Sequence, residues 1–264
     1  MWTTIAFVAA MNLAPAQAGE LTLSNLRSTY GVLGPARTSG KYLPGDLVVV
    51  TFDIEGIKAD DSGKVLYSIG LEVTDPNGKL KFKRDPRDLE ASISLGGNTL
   101  PAYASIPVHM DDPPGKYTAK MTVTDLSTKA SKSITGNFEV LAKAFGIANV
   151  TTTLDSEMRA PAPFLGTGQS LWVNFHAIGF ERANGQPNLS VEMRVLDEKN
   201  NPTLKKPFAG EVTKDIPEKV MALPMQFLLE LNRPGKFTVE LNATDKVSGK
   251  KATLSFPITV MQSK

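Results

Sequence analysis

The chain has only two histidines, His109 and His176, and no cysteine. A Ser/His/Asp relay needs nucleophile, base and acid to converge. Neither histidine sits in a nucleophile motif or in a metal spacing such as H-E-x-x-H. The two fall in different halves of the chain, in stretches that read as strands, where a solvent-facing or hydrogen-bonded imidazole is the simpler reading. Carboxylates are the other source of chemistry. A glycosidase pair can be assembled from distant loops, but no pair is marked out. Asp60-Asp61, Asp111-Asp112 and the recurring Asp125 and Asp245 offer oxygen ligands of the kind Ca²⁺ gathers. They lack the D-x-D-x-D-G spacing of a dedicated loop. Asp125 and Asp245 each close an alternating stretch ahead of a hairpin, where Asp caps turns. The residues therefore imply no enzyme, no cofactor and no dedicated metal site, with calcium at the Asp-rich loops left open.

Two surfaces suit binding. In Leu171-Trp-Val-Asn-Phe-His176 the alternation of a strand puts Leu171, Val173 and Phe175 on one face and Trp172, Asn174 and His176 on the other. An outward Trp beside Asn and His can stack on a sugar ring and hydrogen-bond it, or hold a protein partner. Cover by a loop or by the other half of the chain is the plainer alternative. Lys79, Lys81, Lys83 and Arg84 form a basic stripe in which the three lysines share a face opposite Leu80 and Phe82. Such a stripe protects an edge strand from aggregation. Its functional reading is docking of an anionic polysaccharide or lipid headgroup. A formal net charge of +2 favours the protected edge and gives no reason to expect nucleic acid.

The elements that must position these residues are written twice. The stretch from Pro114 to Val140 aligns without a gap on Pro234 to Val260: Gly115 with Gly235, Tyr117 with Phe237, Asp125 with Asp245. Further pairs extend the repeat. Leu23, Asn25 and Leu26 match Ile147, Asn149 and Val150, and Val48, Val50 and Phe52 match Leu171, Val173 and Phe175. Ile69, Leu71 and Val73 match Val191, Met193 and Val195. LKFKR and TLKKPF read as short strands, and Asp75-Pro-Asn-Gly78 as a tight turn. Seven or so strands per half, with no helical periodicity, predict an all-β chain of two tandem β-sandwiches.

Residues 1–18 carry no charged side chain and end in Ala16-Gln-Ala18, which reads as a signal peptide cut before Gly19. Module one is then 19–141 and module two 142–264. No later run approaches the roughly 18 apolar residues of a membrane span. Without cysteine, an exported chain must stabilise itself by packing alone.

Pro114-Gly-Lys-Tyr117 opening a strand, Val123-Thr-Asp125 before a hairpin, and Phe138-Glu-Val140 at the end resemble the terminal strand pair of bacterial immunoglobulin-like modules. Tyr42-Leu-Pro-Gly-Asp46 ahead of a Val-rich strand, with Thr74-Asp-Pro-Asn-Gly78, is similar to their macroglobulin-type subset. The resemblance implies the sandwich fold and an extracytoplasmic setting, but no activity. It also implies a tyrosine corner at Tyr117, which Phe237 cannot repeat. The resulting expectation is a non-catalytic exported protein, periplasmic, cell-surface or secreted, that binds or spaces an envelope protein or polysaccharide. A carbohydrate-binding protein using Trp172, Asn174 and His176 is the alternative. A periplasmic pilus-type chaperone comes third, because such chaperones pair two dissimilar domains.

Overall fold

Alternation of apolar and polar side chains sets the strands. The computed structural model describes residues 20–263, among which there is no helix; the expected leader, residues 1–18, lies outside the described residues. Module one contributes β1 (Thr22–Thr29), β2 (Lys41–Tyr42), β3 (Leu47–Glu55), β4 (Lys64–Thr74), β5 (Leu80–Ser92), β6 (Thr99–Pro107), β7 (Gly115–Asp125) and β8 (Ser131–Val140). Module two repeats them as β9 (Gly146–Thr153), β10 (Leu165–Gly166), β11 (Ser170–Ile178), β12 (Leu189–Leu196), β13 (Phe208–Val212), β14 (Ala222–Glu230), β15 (Gly235–Asp245) and β16 (Lys251–Met261).

Each module has a three-stranded sheet, β1-β3-β6 or β9-β11-β14, and a five-stranded one, β2-β8-β7-β4-β5 or β10-β16-β15-β12-β13. The short pairings β2–β8 and β10–β16 are parallel. All other sheet neighbours run antiparallel. The chain is two tandem immunoglobulin-like sandwiches with the same strand order. Val48, Val50, Phe52 and Ile54 of β3 fill the first core, and Leu171, Val173, Phe175 and Ala177 of β11 fill the second. On the facing sheets, Leu71 opposes Met121 and Met193 opposes Leu241, so the repeat holds strand by strand. It extends to a bulge. Register shifts between Ser24 and Arg27, and between Asn174 and His176 on the partner of β9, coincide with left-handed Asn25 (φ 53°) and Asn149 (φ 50°).

Asp125 and Asp245 are fully buried and cap their hairpins. Asp125 accepts from the amides of Lys58, Ser127 and Thr128; Asp245 accepts from Glu181 N, Val247 N and the Ser248 hydroxyl. Each thereby ties its hairpin to the loop after the central strand of the opposite sheet. Tyr117 Oη donates to Pro113 O at 2.8 Å, closing the tyrosine corner. In module two the Arg233 guanidinium lies 4.8 Å from the Phe237 ring centroid, a cation–π contact at the site where the hydroxyl is missing.

Three expectations need correction. LKFKR is part of the 13-residue edge strand β5, whose exposed residues follow no clear alternation and so gave no sign of its length. TLKKPF is not a strand. Pro202 and Pro207 withhold backbone donors, and β13 starts only at Phe208. His109 sits in a turn beyond β6, where its amide donates to Asp112.

Phe52 and Phe175 occupy equivalent core positions, each 1% exposed. Truncating either to Ala is expected to cost about 3–5 kcal/mol in denaturant melts, and a loss under ~1 kcal/mol at both would contradict this packing. The capping aspartates predict acid sensitivity. Burial pushes both carboxyls up, but the hydrogen bonds together outweigh it and hold them below the usual aspartate range. Their stabilisation is therefore complete above the unfolded pKa of about 3.9 and is lost as pH falls through the lower folded value. Asp125→Asn with Asp245→Asn should flatten that acid limb and cost about 1–3 kcal/mol per site at pH 7. An unchanged limb would locate the acid sensitivity elsewhere.

Candidate functional site

The joint between modules is short, since β8 ends at Val140 and β9 begins at Gly146. At its centre is Asp46, at the end of the Tyr42-Leu-Pro-Gly-Asp46 turn. Arg37 Nη2 donates to Asp46 Oδ2 at 2.7 Å and to the Lys41 carbonyl at 2.7 Å. Asp46 Oδ1 accepts from Leu47 N at 2.9 Å and, across the joint, from Asn149 N at 2.8 Å. The Arg37 and Asp46 side chains are 7% and 2% exposed, so the pair is shielded from water. The guanidinium stacks on Tyr42 at 3.8 Å and reaches Tyr30 at 5.1 Å. Tyr30 directly follows β1, yet its ring packs in the second core, 5.4 Å from Phe256.

The Tyr30–Gly34 loop also governs the predicted sugar face. Gly31 has φ +76°, and a Cβ there would come within 2.9 Å of Thr151, the β9 residue paired with Asn174. Trp172, Asn174 and His176 do alternate with the core residues of β11, but their surroundings differ. The Trp172 side chain is partly accessible, beside Thr153 and Leu228. Asn174 is buried, and its amide donates to Thr153 Oγ1 at 2.9 Å. His176 is half-buried. Burial pushes its imidazole below the usual histidine range, against the pull of Asp46. The strand thus runs from solvent at Trp172 into the junction at His176.

The basic stripe is divided as well. β5 is an edge strand with Lys83 and Arg84 exposed on it, and Lys79 is exposed in the turn just before it. Lys81 falls at the irregularity between the Phe82–Val73 and Leu80–Thr74 pairs. It turns inward to pair with Asp112, over the Tyr117 ring. Lys83 reaches Asp85 at 3.3 Å. Among the described residues, no group of three His, Cys, Asp or Glu side chains is placed to hold a metal.

Sequence reasoning gave no junction role to Tyr30, Arg37, Asp46 or Asn149, which build it. A signal was present in the repeat itself: module two has Leu154 where module one has Tyr30, and Gln169 where it has Asp46. Among the described residues there is also no helix long and apolar enough to cross a membrane.

No protein-family model and no curated protein matches the chain. Solved structures similar to it include the C-terminal domain of the Streptococcus agalactiae antigen I/II polypeptide BspA. That likeness is 8% identical over 90% of this chain and 100% of that one, with a TM-score of 0.30. The C-terminal domain of the Streptococcus pyogenes antigen I/II-family protein AspA is 8% identical over 91% and 100%, also at a TM-score of 0.30. The Pseudomonas fluorescens alkylpurine DNA glycosylase AlkC is 14% identical over 47% of this chain, which spans 31% of the glycosylase, at a TM-score of 0.31. These likenesses are distant, and the functional reading rests on the chain's own geometry.

Proposed function

We propose that this chain is a non-catalytic exported protein whose two modules bind a component of the cell envelope or extracellular space, or hold it at a set spacing. The observation that supports this most is the junction. A shielded ion pair bonded across the joint, and an aromatic ring of one module seated in the core of the other, tie the sandwiches together. Independent modules on a tether need neither feature. The charge-free opening segment with its Ala-Gln-Ala site supports export. An envelope protein or polysaccharide is the partner class, and the Tyr42–Asp46 turn keeps the macroglobulin-type variety of the fold within the proposal. The partly accessible indole of Trp172 favours a second reading, sugar binding on β11, but the buried Asn174 leaves it little polar chemistry.

Cells producing the full chain test the proposal. The processed protein, lacking residues 1–18, should appear in the exported fraction and crosslink to an envelope component; an unprocessed cytoplasmic protein would sink it. The spacing role makes a separate prediction. Asp46→Ala leaves Arg37 buried without its carboxylate and should cost about 3–5 kcal/mol. Small-angle scattering of the variant should show a larger and broader distribution of module separations. Scattering identical to the wild type would mean that the junction does not set the spacing.

A further inference from the structure

The outer face of the β1-β3-β6 sheet carries a cleft of about 320 Å³ to which both modules contribute. Arg27, Thr51 and Tyr103 lie in one cross-strand row, with Asp53 two residues along β3 on the same face. Above this floor stand Leu33, from the loop after β1, and Phe164, from module two. Three of these are large apolar groups left in water: Leu33 is 49% exposed, Tyr103 52% and Phe164 72%. Scattered exposed apolar residues need no explanation, but a cluster rimmed by polar groups marks a binding surface. Leu33 and Phe164 also wall a second cleft of about 330 Å³ that runs on over Ala36 to Met261. The track is therefore longer than one small molecule.

We propose that this groove binds an extended pyranose chain. Pyranose rings present apolar C–H faces to aromatic rings and hydroxyls to polar groups around their edges, and the groove offers both. Tyr103 and Phe164 supply the rings. Arg27 is exposed, makes no ion pair among the described residues, and has donors to spare beyond a 3.4 Å contact with the Asn25 carbonyl. Asn25 Nδ2 occupies one oxygen of Asp53 at 2.8 Å and holds the carboxylate in place, leaving the other for a sugar hydroxyl. A peptide strand fits less well. β6 is the open edge beside the groove, and Pro101 and Pro107 withhold donors from a strand that would pair there. The inference rests on the binding role proposed above and assigns it a place and a ligand chemistry.

Calorimetric titration of the full mature chain with cellohexaose, chitohexaose and mannohexaose tests it. At least one should bind. Tyr103→Ala and Phe164→Ala should each weaken that binding about tenfold with melting temperatures unchanged, since both rings are exposed, while Trp172→Ala leaves it intact. Silence from all three sugars overturns the inference, as does binding that survives both groove variants or is lost only with Trp172→Ala. Retention of the wild type in the envelope fraction is measured in parallel. Retention without sugar binding sinks this inference alone and, if Tyr103→Ala abolishes it, assigns the groove to a protein. Absence of retention sinks the broader proposal.

Discussion

A carboxylate removed from water costs several kcal/mol unless donors replace its hydration. Asp46 is in that position, and its donors come from three places in the chain. The Leu47 amide is local, the Arg37 guanidinium arrives from the loop after β1, and the Asn149 amide belongs to the other module. The last is free to donate because Asn149 sits at a bulge, where the extra residue drops out of the β9–β11 ladder. A defect in one module's sheet thus completes the solvation of a charge in the other. Pulling the modules apart would leave the Asn149 amide without its acceptor and open the Arg37–Asp46 pair, which lies within module one, to water. Such a pair contributes little net stability against an apolar substitute, but it penalises other arrangements heavily.

The two repeats diverge where this constraint acts. Gln169 takes the place of Asp46 and makes a neutral bond within its own loop, accepting from Gly166 N at 2.7 Å. Leu154 replaces Tyr30 and packs at the margin of its own core, whereas Tyr30 crosses into its neighbour's. The Phe256 ring that receives Tyr30 corresponds to Gly136 in module one, where Leu26 leaves no room for a side chain without adjustment. Away from the junction the modules remain alike, down to the paired hairpin aspartates and the left-handed asparagines. The two modules share one core plan, and the junction is built where their sequences differ.

Periodicity was a sound guide to the core because burial on one face of a strand leaves a period of two in the sequence. The β3 and β11 faces, the β4/β12 register and the Asp125/Asp245 turns were all legible for that reason. What covers the other face leaves no such imprint. Asn174 alternates correctly and is still buried, because a glycine-bearing loop more than a hundred residues upstream lies over its neighbour Thr151. Lys81 belongs to a regular lysine pattern, yet a strand irregularity turns it toward Asp112. The length of β5 was hidden because an exposed edge strand needs no apolar alternation at all. Long-range cover and local register shifts are three-dimensional facts, and only the departures of one repeat from the other hinted at them.

The same cross-strand row shows how one scaffold yields two surfaces. In module two it reads Thr151, Asn174 and Gln226, all neutral: the module-one loop lies against Thr151, Asn174 is buried and Gln226 is exposed. In module one the equivalent row reads Arg27, Thr51 and Tyr103, and the loop that covers the module-two row belongs to module one itself. A charged group and a large ring in that row could not be accommodated under close cover without a desolvation penalty, whereas in water they cost nothing. The side chains on each face match what lies above it. Where the module-one loop sits, the row is uncharged; where solvent sits, it carries Arg27 and Tyr103, whose donors and ring face are exposed.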